Sequence, residues 1–123
     1  ILSLLGLREN DSPPMLPNAR NAWIPPDKIS DYLLSHTHPV GASKSRWLFA
    51  AHGYDHSNIS SLEQGLLRVA AERRLVQSVS SPHGDKNVID GELFTPRGTT
   101  VTVRTIWIIE ADSKPRFVTA YPA

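Results

Sequence analysis

The period of the apolar residues changes once along this 123-residue chain, near Ser80-Ser81-Pro82-His83-Gly84. Before this segment the apolar residues recur at helical spacing. After it they alternate with polar residues, as in strands that bury one face. Helices followed by antiparallel strands indicate an α+β domain. We therefore expect N-terminal helices packed on a C-terminal antiparallel sheet of three to four strands.

Three strands are predicted after this change, at residues 86–94, 99–110 and 116–121. Thr95-Pro96-Arg97-Gly98 joins the first two, with Pro and Gly where a tight hairpin turn requires them. The long strand is rich in β-branched residues, which favour pleated sheet. Its alternation places one set of side chains (Val101, Val103, Thr105, Trp107 and Ile109) on one face and the other set (Thr102, Arg104, Ile106 and Ile108) on the opposite face.

Three helices are predicted before the change. The first begins near Asp27 and stops before His36, and the second runs over residues 44–52, with Ser43 as its N-cap and Gly53 at its C-terminal end. The third begins at a capping box and continues to about residue 76. Ser60 and Glu63 form this box, and the helix carries Arg68, Arg73 and Arg74 on its solvated face.

Length and composition favour one domain. We expect residues 1–14 to be a linker or leader, Met15 to be a possible native start, and residues 15–123 to be a single α+β domain. Trp23, in a Pro-rich arm, is expected to lay its ring on the core. The chain has no cysteine, so disulfides and thiolate metal sites are excluded, and no apolar run is long enough to span a bilayer. A net charge of +1 neither requires nor excludes an anionic partner.

Several short segments resemble a known bacterial family. They are Leu16-Pro17-Asn18-Ala19, Ile24-Pro25-Pro26-Asp27-Lys28-Ile29, Tyr32-Leu33-Leu34, His38-Pro39-Val40-Gly41-Ala42-Ser43-Lys44, Gly84-Asp85-Lys86, Val103-Arg104-Thr105-Ile106-Trp107-Ile108 and Pro115-Arg116-Phe117-Val118-Thr119-Ala120-Tyr121-Pro122. Together they resemble DUF6883-like domains, which are related to C-terminal toxin domains of contact-dependent-inhibition and other polymorphic toxins. His83 departs from the pattern, because relatives often have Tyr at that position.

The Thr-x-Tyr-Pro ending also resembles toxin nucleases of the barnase/EndoU/colicin/RelE (BECR) superfamily. This resemblance implies a BECR-like fold and a ribonuclease that needs no metal and no cofactor. It implies tRNA or another structured RNA as substrate, and a cognate immunity protein as partner. A delivered effector would act in the cytoplasm of the target cell, whereas a free-standing protein would be cytoplasmic.

Metal-free RNA cleavage needs a general base, a general acid and donors to the phosphoryl oxygens. His38 is the candidate acid or base, because imidazole titrates near neutral pH. Lys44, at a helix N-terminus, and the Thr119 hydroxyl are candidates for holding the phosphate. The candidate substrate-binding residues are Lys86, Arg104, Arg46 and Tyr121. All of these residues except Lys86 also have a purely structural interpretation. His38 could be a cap, Lys44 and Arg46 surface cations, Arg104 a solvent-facing strand residue, Thr119 an ordinary strand residue and Tyr121 a packing ring.

Two other hypotheses remain open. The domain could be a non-catalytic binding module, such as a toxin–antitoxin or protein-interaction partner that uses the same groove. Its near-neutral charge and the lack of a standard catalytic set favour this hypothesis. His36 and His38 could form part of a metal site, but no further ligands are spaced as in a known zinc cluster.

Overall fold

A computed structural model describes residues 14–28, 52–111 and 113–123. Its elements are 3-10 turns at Ala19–Asn21 and His56–Asn58, helix α1 (Pro26–Lys28), helix α2 (Ile59–Glu72) and strands β1 (Leu75–Ser81), β2 (Gly84–Phe94), β3 (Thr100–Ile109) and β4 (Arg116–Pro122). An α+β fold with a four-stranded sheet is confirmed. The continuation of the first predicted helix beyond residue 28 and nearly all of the second, at 44–52, lie outside the described residues.

Helix α2 begins differently from the prediction. Its N-cap is Asn58, whose side chain makes no capping bond to the helix, and it starts one residue before Ser60. Reciprocal capping lies one turn upstream, where Asp55 Oδ1 accepts from Ser57 N at 2.8 Å and Asn58 Oδ1 accepts from Asp55 N at 2.9 Å. The predicted Ser60 box is therefore wrong, because the 3-10 turn runs directly into the helix and leaves no break at Ser60 for a cap.

Helix α2 also ends earlier than predicted. It stops at Glu72, and Arg73 has extended backbone angles (φ −106°, ψ 154°). Residues 75–81, which the sequence assigned to the helix end and a loop, form strand β1 and pair antiparallel with β2. Pairing overrides a weak local preference here, because β strands gain their stability from cross-strand contacts.

The four strands form an antiparallel meander in the order β1-β2-β3-β4. Gly98 closes the predicted hairpin turn by donating from its N to Thr95 O at 2.9 Å, and its φ of 81° is one that glycine adopts without strain. In β3 the predicted division into two faces is confirmed, with Val103, Thr105 and Trp107 buried.

The core lies between α2 and one face of the sheet, here called the inner face. The helix contributes Leu62, Leu66, Val69 and Ala70, and the strands contribute Leu75, Ile89, Leu93, Val103, Trp107, Phe117 and Ala120. Each large apolar side chain that is fully buried stabilises the fold by about 1.5–3 kcal/mol. The helix approaches β2 closely, because a Cβ at Gly91 would lie 2.8 Å from a methyl carbon of Val69. This packing leaves the opposite, outer face of the sheet for other contacts.

A β-bulge in β4 changes the orientation of its first residues. Ile106 pairs with Thr119, but the next residue of β3, Trp107, pairs with Phe117. The extra residue turns Phe117 to the inner face, where its ring meets Trp107 edge-on at 5.3 Å and 69°. Strict alternation along β4 would place Phe117 on the same face as Thr119, and the bulge puts it on the opposite face.

The N-terminal arm lies beside the far edge of the sheet. Trp23 N donates to Pro115 O at 3.0 Å and Trp23 O accepts from Phe117 N at 3.0 Å, so the backbone of Trp23 extends the sheet beyond β4. Its side chain is 43% exposed. The prediction that this ring lies on the core was therefore wrong, because the backbone bridge holds the residue at an edge.

Candidate functional site on the outer sheet face

Four of the seven predicted site residues belong to the part of the chain that the structure describes. Lys86, Arg104, Thr119 and Tyr121 all lie on the outer face, as their strand positions and pairing show. His38, Lys44 and Arg46 lie outside the described residues, as does His36. The outer face is therefore where the described candidates are brought together.

Arg104, Thr119 and Tyr121 form the close part of this group. Arg104 and Tyr121 are direct partners across β3 and β4. Side chains of direct cross-strand partners have Cβ atoms about 4.5–5.5 Å apart. Thr119 lies two residues from Tyr121 on the same strand and therefore on the same face, about 7 Å along it. The three side chains thus present a guanidinium, a phenol and a hydroxyl on one small surface.

Asp90 fixes the guanidinium of Arg104. Arg104 Nε and Nη2 donate to the two carboxylate oxygens of Asp90 at 2.8 and 2.9 Å. This hydrogen bond and the negative charge of Asp90 raise the pKa of Arg104. A bidentate pair gives a fixed geometry, and it leaves three of the five guanidinium N–H groups for other acceptors. The carboxylate also offsets the charge of Arg104, which therefore acts here as a set of oriented donors.

Sequence reasoning did not identify Asp90. The signal was present in the hairpin, because Asp90 and Arg104 are each five residues from the positions that close the turn, Thr95 and Thr99. The length of a hairpin loop fixes the register of its strands. The three residues between Thr95 and Thr99 place this acid opposite this base.

Lys86 lies at a distance from the close group. It pairs with Ile108, four residues from Arg104 along β3, which corresponds to about 13 Å. Between them on the outer face lie Val88 and Ile106, which are paired with each other and each only 5% exposed. The structure therefore places Lys86 on the predicted face but separates it from Arg104 by a buried apolar pair.

The described residues show neither a cluster of metal ligands nor a membrane-spanning helix. Within residues 14–28, 52–111 and 113–123, no three His, Asp or Glu side chains are grouped as metal ligands would be. None of the helices found there has the length and apolar character needed to cross a membrane.

Comparison with known proteins gives one family and a structural neighbour. A family model described as "Domain of unknown function (DUF6883)" matches residues 15–123. A chain of the solved "Contact-dependent growth inhibition toxin - immunity protein complex from Klebsiella pneumoniae 342" is similar in structure, with a TM-score of 0.67 and 13% sequence identity. The match covers 87% of this chain and 97% of that chain, and at this identity it shows a shared fold. No curated protein matches.

Proposed function

Since the chain belongs to the DUF6883 family, whose description assigns no function, we propose from its fold and outer face that it is a toxin domain that cleaves RNA without a metal ion. The observation that carries this proposal is the grouping of Arg104, Thr119 and Tyr121 on one partly exposed sheet surface. These three residues are among those expected to bind the phosphate or the substrate, and neighbouring strands bring them together.

The structural neighbour supports the biological setting. That complex contains a growth inhibition toxin and its immunity protein, and nearly the whole of the matching chain shares this fold. This setting supports a cognate immunity protein as inhibitor. From the resemblance of the Thr-x-Tyr-Pro ending to BECR nucleases, the proposal adds a BECR-like arrangement and tRNA or another structured RNA as substrate. On this proposal the domain acts in the cytoplasm of a target cell after delivery.

The proposed reaction uses the ribose of the substrate. The 2′-oxygen attacks the adjacent phosphorus as a base removes its proton, the bond from phosphorus to the 5′-oxygen breaks, and an acid protonates that 5′-oxygen. His38 serves as acid or base, since imidazole exchanges protons near neutral pH. Lys44 and the Thr119 hydroxyl stabilise the charge on the phosphoryl oxygens, with Arg104 oriented by Asp90. Lys86, Arg46 and Tyr121 hold the flanking nucleotides.

A pair of threonines tests the role of the outer face. Thr119→Val keeps the shape of the side chain and removes its hydroxyl, and Thr102→Val makes the same change at an exposed outer-face position of β3. Loss of one donor to a charge that develops in the transition state lowers a rate by about 100-fold or more. We expect Thr119→Val to slow RNA cleavage in EDTA by this factor, while Thr102→Val cleaves at the wild-type rate.

Two controls make this experiment decisive. RNA with 2′-deoxyribose on the 5′ side of the cleaved bond must resist cleavage, because it lacks the attacking oxygen. Thermal unfolding of both variants must match the wild type, so that a lost rate is not a lost fold. Equal rates for Thr119→Val and Thr102→Val would exclude Thr119 from the reaction.

One observation favours a second function, a non-catalytic protein-binding module. Asp90 offsets the charge of Arg104 in the close group, and a neutral polar surface over buried Val88 and Ile106 suits a protein partner as well as RNA. RNA that stays intact in EDTA and also with added magnesium or zinc would favour this alternative. A stable complex with a candidate partner, lost on substitution of Tyr121, would then establish it.

A further inference from the structure

A polar cleft separate from the outer-face group lies where helix α2 meets the end of β2. We call it the Arg68 cleft. Its lining residues are Tyr54, Ser60, Ser61, Gln64, Gly65, Arg68 and Phe94, around a volume of about 500 Å³. The sequence predicted Arg68 on a solvated helix face and Phe94 only as the end of a strand. The lining contains one cation and no carboxylate, so the cleft is suited to an anionic ligand.

Phe94 is a large apolar side chain that the fold leaves in water. It is 60% exposed. The guanidinium carbon of Arg68 lies 4.6 Å from the centroid of its ring, which is within the range of a cation–π contact. A planar aromatic ring beside a guanidinium is the combination that proteins use to stack an unpaired base of RNA.

Arg68 is held in place by the edge of the sheet. Strand β1 pairs with β2 only as far as Ile89, so the β2 edge beyond it has no strand partner among the described residues. Arg68 Nη2 donates to Glu92 O at this edge at 3.1 Å, and Tyr54 Oη donates to Phe94 O at 3.3 Å. These side chains fix the end of β2, and the cleft is therefore built before any ligand arrives.

The charge of Arg68 differs from that of Arg104. Its hydrogen-bond acceptor is a neutral backbone carbonyl, whereas Arg104 faces the carboxylate of Asp90. The positive charge of Arg68 is therefore not offset by an ion pair with any described carboxylate. A second cation lies nearby, because the Arg97 side chain reaches Gly53, the residue before Tyr54.

We propose that the Arg68 cleft binds an unpaired nucleotide of the RNA substrate, with its base stacked on Phe94 and its phosphate held by Arg68. This inference rests on the proposed function and extends it to a second contact. Phe94 lies on the same face of β2 as Asp90, four residues and about 13 Å further along the strand. One RNA strand passing along the end of β2 reaches both surfaces.

Binding of a single-stranded RNA with 2′-O-methyl riboses tests the proposal, because this RNA cannot be cleaved by its own 2′-oxygen. Fluorescence anisotropy at fixed salt gives Kd for the wild type, Phe94→Leu and Phe94→Tyr. Loss of a stacked base weakens binding by about 5- to 150-fold. We expect Phe94→Leu to show such a loss and Phe94→Tyr to restore binding, since the tyrosine ring also stacks.

Trp23→Leu is the matched control, since Trp23 is also an exposed aromatic side chain but lies near Arg116, at the other end of the sheet. We expect its Kd to equal that of the wild type. Arg68→Gln should weaken binding and make it less sensitive to salt, with the slope of log K against log salt smaller by about 0.7 for one lost phosphate contact. Phe94→Leu should keep the wild-type slope.

The outcomes separate this inference from the nuclease proposal. If Phe94→Leu binds as tightly as the wild type, or if Trp23→Leu loses as much affinity, the Arg68 cleft is not the nucleotide site, whether or not RNA is cleaved. If Phe94→Leu alone loses binding while the wild type leaves RNA intact, the cleft binds RNA and the nuclease proposal fails. No detectable binding by the wild type would overturn the inference.

Discussion

Gly91 lies at the closest approach of β2 to α2, and we predict that a single methyl group there destabilises the domain. A Cβ at this position would lie 2.8 and 2.9 Å from the two γ-methyl carbons of Val69 and 3.2 Å from Cγ of Arg73. Carbon atoms pack at about 3.5–4.0 Å, so the Val69 side chain or the helix that carries it must shift. Overpacking of this kind costs about 1–3 kcal/mol.

The net effect of Gly91→Ala is smaller than the steric cost. Replacing Gly by Ala also restricts the unfolded chain, which stabilises the fold by about 0.4–1 kcal/mol where the backbone is not strained. Gly91 is not among the residues with positive φ. We therefore expect a net loss of about 0.5–2 kcal/mol, or roughly 3–6 °C in Tm for each kcal/mol in a chain of this size. Urea unfolding followed by tryptophan fluorescence measures this loss.

A double-mutant cycle identifies the contact. Val69→Ala removes both crowded methyl groups and by itself costs about 1.5 kcal/mol in lost burial. In the double variant the methyl group added at position 91 has room, so the combined loss should fall short of the sum by about 1 kcal/mol. Gly98→Ala is the control, because Gly98 has no atom within 4 Å of its Cβ position but a φ of 81°. Its cost should add to that of Val69→Ala, and additive losses for Gly91→Ala would refute the reasoning.

Three other predictions concern stability. Thr105→Val removes the hydroxyl that accepts from the buried indole N–H of Trp107 at 2.9 Å. This loss should lower the free energy of unfolding by about 1–3 kcal/mol. An unchanged urea midpoint would refute this prediction. Burial raises the pKa of the Tyr54 hydroxyl. Above about pH 10 the unfolded chain therefore releases a proton that the native state keeps. The free energy of unfolding falls as the pH rises through this range. Tyr54→Phe should flatten this fall in urea titrations from about pH 8 to 11, and equal slopes would contradict the assignment. The linker was predicted to span residues 1–14, but Pro14 O accepts a hydrogen bond from Leu75 N. Deletion of residues 1–13, which keeps this bond, should leave Tm unchanged, and an insoluble product would refute the linker prediction.

The faces of the sheet were predictable because strand alternation depends on the local sequence alone. Buried Trp107 and outward Arg104 follow from a period of two, and the hairpin turn follows from Pro96 and Gly98. Strand β1 was not predictable in this way, because after Leu75 it is polar except for two exposed valines and only its pairing with β2 makes it a strand. The position of Phe117 depends on a bulge that the local sequence does not indicate.

The candidate site was predictable only in part, for the same physical reason. Alternation placed Arg104, Thr119 and Tyr121, but the carboxylate that orients Arg104 comes from another strand. The role of Arg68 depends on how closely a helix passes an open sheet edge, and that distance is set by small residues such as Gly65. Contacts between elements are set by packing, which single-sequence patterns do not contain.

The central claim is that this domain cleaves RNA without metal. The most direct measurement is a denaturing gel of total cellular RNA incubated with the wild-type domain, His38→Gln and His83→Gln in EDTA. His83 is an exposed imidazole in the β1–β2 turn and serves as the matched control. We expect discrete RNA fragments with the wild type and His83→Gln, and intact RNA with His38→Gln. RNA that stays intact with the wild type would contradict the account.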